Sequence, residues 1–360
     1  MNKNLLMAIA VGAALTGCVK NETANDAVTS KAKIGFEAPV VSGITRGTGV
    51  TGEIGTTYHT NENFSVYARY YQATYTTFDA GTSYMDNVET AYETSDNYWD
   101  SENAGGQAYY WPKVGSLTFG AYSPSRATND CTVTWEASGF KFTGFKVKEN
   151  PAQHYDLMFS ERVYDKSHDE PSSTSYAGGV DINFKHALSS IVFKVKAAEA
   201  YDNHTITVKS IKVKNAYDTG NFDQKLEDNG TAKTTAPVWE AQTNENAGYE
   251  AVTKADGEVL TTTAAPLTNP NPIIILPQAT DHTASDGNKV AIEVVYTIDN
   301  GTTPTPVEQK HSAYVSDLSI DEFEIGKRYT FTLSIGLHKI TFSPKVDPWI
   351  DEVVTPDIEL

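Results

Sequence analysis

Ser190-Ile191-Val192-Phe193-Lys194-Val195-Lys196 decides the fold class. Ile191, Phe193 and Val195 fall on one face of an extended chain and both lysines on the other, the period of two that a half-buried strand requires. Working outward, Thr205-Ile206-Thr207-Val208-Lys209-Ser210-Ile211-Lys212-Val213-Lys214 repeats the device. Phe64-Ser65-Val66-Tyr67-Ala68-Arg69-Tyr70 and Leu117-Thr118-Phe119-Gly120-Ala121-Tyr122 read as further strands. Pro272-Ile273-Ile274-Ile275-Leu276-Pro277 reads as one buried strand closed by prolines. Asp228-Asn229-Gly230, Asp256-Gly257, Asp286-Gly287 and Asp299-Asn300-Gly301 supply residues that accept positive φ cheaply, so each predicts a turn. Tyr296-Thr297-Ile298, ahead of the last of these, predicts the first arm of a hairpin. Helix is expected only as a turn or two, within 84–104 or near Ile320-Asp321-Glu322-Phe323. Many short strands punctuated by turns predict an all-β fold of sandwich type.

Length asks for two such units, because the 360 residues exceed what one domain of ~100–200 residues holds. The break is placed in the polar run Lys166 to Gly179, giving domains over 47–170 and 178–345 and a tail over 346–360.

The amino-terminal end carries its own signal. Lys3, the apolar run Leu5 to Leu15 and the ending Leu15-Thr16-Gly17-Cys18 have the form of a bacterial lipoprotein signal peptide over 1–17. Cys18 is then the lipidation site, through which acyl chains anchor the protein to a membrane without crossing it. Residues 18–46 follow as a tether and leader: a Lys/Asn/Glu/Thr/Ala/Ser stretch, then Lys33-Ile34-Gly35-Phe36-Glu37-Ala38-Pro39-Val40, able to pair as a strand. Arg46-Gly47 lies in a Gly/Thr-rich stretch, a good substrate for an arginine-specific protease; its bland reading is a solvated arginine in a linker.

A net charge of −18 argues against nucleic acid as a partner. Once Cys18 is lipidated, Cys131 has no second thiol to pair with, and its neighbours predict a buried strand thiol. The eight histidines form no His-x-x-x-His pair, and the acidic stretch Asp96 to Asn103 lacks the residue order of a calcium loop. No nucleophile elbow, phosphate loop or dinucleotide fingerprint occurs, so no catalytic residue, metal or cofactor is assigned and the chain is not read as an enzyme.

Taken in order, several segments resemble the fimbrillin family of type V pilins from anaerobic Gram-negative bacteria. They are the lipobox and Thr45-Arg46-Gly47; Tyr109-Tyr110-Trp111-Pro112 with Leu117 to Pro124; Tyr155-Asp156-Leu157-Met158-Phe159-Ser160; Phe184 to Val195; and Gly326 to Leu333 with Ile340-Thr341-Phe342 and Asp347-Pro348-Trp349. The resemblance implies two tandem transthyretin-like β-sandwich domains, export as a lipoprotein (palmitoylated at Cys18) to the outer membrane, and assembly with other pilin subunits into surface fimbriae for adhesion. It implies cleavage by an arginine-specific protease between Arg46 and Gly47, removal of a leader strand bearing Ile34, Phe36 and Ala38, and donor-strand exchange into the slot left behind. Val346, Trp349, Ile350 and Val353 are candidate anchors of a carboxy-terminal donor. Against that, Pro344, Pro348 and Pro356 lack a ladder donor and the tail is rich in carboxylates, so a tail completing its own domain is an equal alternative. A second function stays open: a permanently anchored surface lipoprotein that binds glycan or host protein through Tyr70-Tyr71, Tyr75, Tyr84, Tyr92, Tyr98 and Trp99.

Overall fold

The computed structural model describes residues 29–36, 40–41, 62–93, 98–167, 179–227, 237–243, 248–267, 272–282, 289–302 and 306–349. Among them the chain is all-β, with helix confined to 3-10 turns at Phe78–Ala80, Ser125–Asn129, Pro151–Gln153 and Ser316–Leu318.

The carboxy-terminal sandwich grows from the stretch that announced it. β13 (Ser189–Ala197) lies between β18 (Ala265–Pro266) and β24 (Lys327–Ile335), and β25 (Ile340–Pro348) forms the edge beyond β24. β19 (Ile273–Ile275) also pairs with β13 and is fully buried, as its prolines suggested. β13 and β24 run parallel, in register from Ser190↔Arg328 to Ala197↔Ile335. The second sheet has the order β17 (Tyr249–Val259), β14 (Thr205–Lys214), β21 (Ala291–Asp299), β22 (Val307–Tyr314). Ile191, Phe193 and Val195 share one core with Ile206, Val208, Ile211, Val213, Ile292 and Val294. The expected hairpin is β21–β22, with Gly301 at φ +70° and its N–H donated to the Asp299 carboxylate at 2.8 Å.

β14 corrects the reading of uninterrupted alternation. Two residues separate Val208 from Ile211, and the pairing with both neighbours shifts between Val208 and Ser210. Lys209 is the bulged residue, and the bulge returns Ile211 and Val213 to the core face. Asp256-Gly257 is likewise no chain-reversing turn: it lies inside β17, at a register shift against β14 where Gly257 takes φ +74°.

The amino-terminal half is built around a sheet of order β2 (Val40–Val41), β12 (Asn183–His186), β10 (Met158–Ser160), β7 (Ser116–Ser123), β3 (Phe64–Tyr71), β4 (Thr82–Glu93), β5 (Tyr98–Asp100), with β11 (Val163–Lys166) also against β7. Among the described residues, the helical turn expected within 84–104 is replaced by β4, β5 and a non-helical turn over 101–105. Asn87 sits at φ +51° where the β3–β4 register shifts, and this bulge gives Met85 and Val88 a spacing of three that imitates a helix.

This sheet is buried on both faces, and all eight residues of β7 are buried. Tyr67, Tyr122 and Phe159 turn one way, towards a sheet of order β16 (Val238–Thr243), β15 (Thr219–Asp223), β9 (Gly139–Lys146), β8 (Thr132–Glu136). Phe64, Val66, Phe119 and Met158 turn the other way, into a separate core. Two short pairs, β1 (Thr29–Lys33) with β6 (Tyr110–Pro112) and β20 (Gln278–Ala279) with β23 (Glu322–Phe323), complete the architecture. Hydrogen bonding crosses the run chosen as the domain break: β9 pairs with β15 and β10 with β12. Residues 168–178 of that run lie outside the described residues. Cys131 is half-buried just ahead of β8 rather than within it, and burial pushes its thiol up to about 12.

His154 ties the two halves together. Its Nδ1 accepts the Ile274 N–H at 3.0 Å, Nε2 lies 2.8 Å from the Lys148 carbonyl, and Tyr249 meets the ring edge-on at 5.2 Å. Burial lowers its pKa from 6.5 to about 4, so the imidazole is neutral and cannot keep the Ile274 bond once protonated. Between those two values the unfolded chain binds the extra proton and the folded chain does not. The stabilisation is complete above pH 6.5 and is lost towards pH 4, by up to about 1.4 kcal/mol per pH unit. Urea midpoints taken across this range should fall more steeply for the wild type than for His154→Gln; equal slopes contradict the assignment.

Candidate functional site

The separate core on the outer face of the amino-terminal sheet is closed by the chain's own leader. Ile34 and Phe36 are 3% and 1% exposed, and Gly35 between them is buried too. Phe36 and Trp99 of β5 exchange two backbone hydrogen bonds, each 2.9 Å. On the other side Phe36 pairs in parallel with Val180, whose N–H donates to the Gly35 carbonyl at 3.0 Å. Val40 and Val41 then pair in parallel with Asn183 and Phe184 of β12. β5 ends the sheet on one side, and β12 is the last strand before the leader's own β2 on the other. The leader therefore bridges the two edges and closes the sheet on itself, covering backbone groups that would otherwise be unpaired.

Side-chain packing matches this closure. The Phe36 ring meets Phe64 at 5.8 Å and 82° and Phe119 at 5.8 Å and 87°, both edge-to-face. Phe64 in turn packs against Trp99 at 6.1 Å and Phe184 at 5.7 Å. Upstream, the Ile34 N–H donates to the Tyr109 carbonyl at 2.8 Å, β1 pairs with β6, and Lys33 forms an ion pair with Glu102 at the rim. Carboxylates at Glu102 and Asp100 hold the Lys33 ammonium above its usual pKa.

The candidate donor residues divide. Val346 lies in the edge strand β25 and is 44% exposed. Trp349 is buried and belongs to its own fold: its N–H donates to the Gly326 carbonyl at 2.8 Å and its ring stacks on His186 of β12 at 4.2 Å and 7°. His186 Nδ1 lies 2.6 Å from a carboxylate oxygen of Asp156, which is fully buried and whose pKa is raised by that burial. Cys18, Ala38, Arg46, Gly47, Ile350 and Val353 lie outside the described residues. Of the aromatic residues considered for a glycan-stacking surface, Tyr71, Tyr75 and Trp99 are core residues, and Tyr70, Tyr84 and Tyr92 are half-buried. What residue patterns missed is the receiving side of the slot. Trp99 and Val180 are far apart in sequence, and the polar run before Gly179 hides the second.

A family model described as fimbrillin-like matches residues 45–349. Among solved structures, a fimbrial protein from Bacteroides vulgatus ATCC 8482 is 17% identical with a TM-score of 0.60, covering 88% of this chain and 99% of that one. A candidate cell adhesion protein from Bacteroides uniformis ATCC 8492 is 17% identical with a TM-score of 0.48, covering 88% and 98%. The tip fimbrial protein Mfa3 from Porphyromonas gingivalis is 8% identical with a TM-score of 0.38, covering 83% and 97%. No curated protein matches.

Truncating Phe36 removes the ring contacts with Phe64 and Phe119 while leaving its backbone pairing in place. Phe36→Ala should lower unfolding stability by about 3–5 kcal/mol, whereas Lys33→Ala, at an exposed pair, should cost less than about 1 kcal/mol. Chemical denaturation of the two variants checks this, and similar losses would contradict the role given to Phe36.

Proposed function

The chain belongs to the fimbrillin-like family, and from that premise we propose that it is a pilin-type subunit matured by removal of the leader and assembled by donor-strand exchange. Family membership makes it a surface protein of the fimbrial and cell adhesion class. Lipidation at Cys18, cleavage between Arg46 and Gly47 and strand exchange are the finer reading. The observation that carries it is the burial of Ile34 and Phe36 between the two edges of the amino-terminal sheet, upstream of an arginine in a Gly/Thr-rich stretch.

While the chain is intact, the leader is tethered to its slot and its effective concentration there is high. Cleavage after Arg46 turns the leader into a separate peptide held only by its contacts. Burying Ile34 and Phe36 contributes about 1.5–3 kcal/mol each, and the ordering entropy of the segment opposes it. Once the leader leaves, the edges at Trp99 and Val180 expose backbone donors and acceptors above an aromatic floor. A strand from a neighbouring subunit that pairs with both edges restores the closed sheet. Lipidation holds the precursor at the outer membrane until this exchange occurs. The same family membership is compatible with a role in adhesion to a host protein or glycan.

Arg46→Ala should leave the protein uncut, membrane-bound and monomeric. Surface filaments from the wild type should carry Gly47 as their first residue on amino-terminal sequencing. Filaments of normal length from the variant would remove cleavage from the mechanism.

A further inference from the structure

The sequence holds five arginines, Arg46, Arg69, Arg126, Arg162 and Arg328, and all but Arg46 are among the described residues. An arginine-specific protease needs the guanidinium free to enter a charged pocket and the backbone around it extended and unpaired. The fold denies this at three of them. Arg69 lies in β3 between β4 and β7, with its guanidinium over the Phe78 ring at 4.3 Å. Arg328 lies in β24 between β13 and β25. Arg162 is buried and donates to the Glu136 and Ala137 carbonyls at 2.7 and 3.1 Å.

Arg126 is placed differently. It is exposed and lies in the 3-10 turn Ser125–Asn129, outside every sheet, where a chain is most open to nicking. Side chains from elsewhere hold it. Its guanidinium forms an ion pair with the buried Glu62 and lies over the Tyr155 ring at 5.2 Å. The Tyr155 hydroxyl donates to Asp130, at the end of the same turn, at 2.8 Å. Backbone on both sides of Arg126 is engaged as well. The Ser125 N–H donates to the Asn63 carbonyl at 2.8 Å, and the Ala127 N–H to the Pro124 carbonyl at 3.0 Å. Ala127, on the far side of the bond a protease would cut, is fully buried. The turn has to be lifted out before a protease can grip it, and the contacts of Arg126 with Glu62 and Tyr155 oppose that opening.

We infer that Arg126 is a latent second cleavage site which Glu62 and Tyr155 keep closed, so that arginine-specific proteolysis stops at Arg46. The inference rests on the maturation reading above and adds what limits it to one cut: a break at Arg126 would divide the chain between β7 and β8.

Digestion of the full chain and its variants with an arginine-specific endoprotease, read by mass spectrometry, tests it. Arg46→Ala should stay whole over a time in which the wild type is completely cut after Arg46. Glu62→Ala should be cut after Arg126 at least about tenfold faster than the wild type, as loss of a charge-assisted hydrogen bond implies. Fragments ending at Arg69, Arg162 or Arg328 should not accompany that cut, and adding Arg126→Lys should abolish it. Two results overturn the inference: cleavage of Arg46→Ala after Arg126 as fast as the wild type is cut after Arg46, or an unchanged rate after Arg126 in Glu62→Ala. If Glu62→Ala is cut after all its arginines together, its fold is lost, and Glu62→Gln, which keeps the shape and removes the charge, decides by the same criterion. A wild type left uncut at Arg46 removes the maturation reading, while the rate after Arg126 in Glu62→Ala still decides whether that site is guarded.

Discussion

Phe36 sits where the two edges of the amino-terminal sheet would otherwise stay apart, and closure of that sheet depends on it. Its backbone pairs with Trp99 on one side and Val180 on the other, and its ring fills the space above Phe64 and Phe119. The interaction combines two requirements. Edge backbone groups must be hydrogen-bonded, and the aromatic floor must be kept from water. One extended segment satisfies both. That is why side chain and backbone carry equal weight in defining the slot.

The sheet tolerates this arrangement because its other face is finished independently. Tyr67, Tyr122 and Phe159 pack with Phe140, Phe142 and Phe222 in the larger core, which the leader does not enter. Exposing the leader-side core leaves that packing in place. A single core under a one-sided sheet would depend wholly on the leader, whereas here the larger core on the opposite face does not include it.

β12 is the strand where the leader and Trp349 meet. Leader residues Val40 and Val41 pair with Asn183 and Phe184, and the tail's Trp349 stacks on His186 two residues further on. The Asp156 carboxylate beneath His186 fixes the imidazole that Trp349 lies against. Trp349 is thus held on both its ring and its backbone N–H by the fold itself.

Local patterns determined a good deal by themselves. Alternation at Ile191, Phe193 and Val195 located a strand, the proline-bounded Ile273–Ile275 located another, and Asp299-Asn300-Gly301 located a hairpin. Ile34 and Phe36 could be read as core-facing because the period of two is a property of the extended backbone alone. Bulges at Lys209 and Asn87 were not legible, since an extra residue is defined only against the strand it pairs with. Nor were the parallel pairing of β13 with β24, the sheet shared by β9 and β15, or the joining of Trp99 to Val180 through Phe36. Those pairings unite residues far apart in the chain, and which distant edges meet is decided by the packing of whole sheets, a free energy that no short stretch of residues contains.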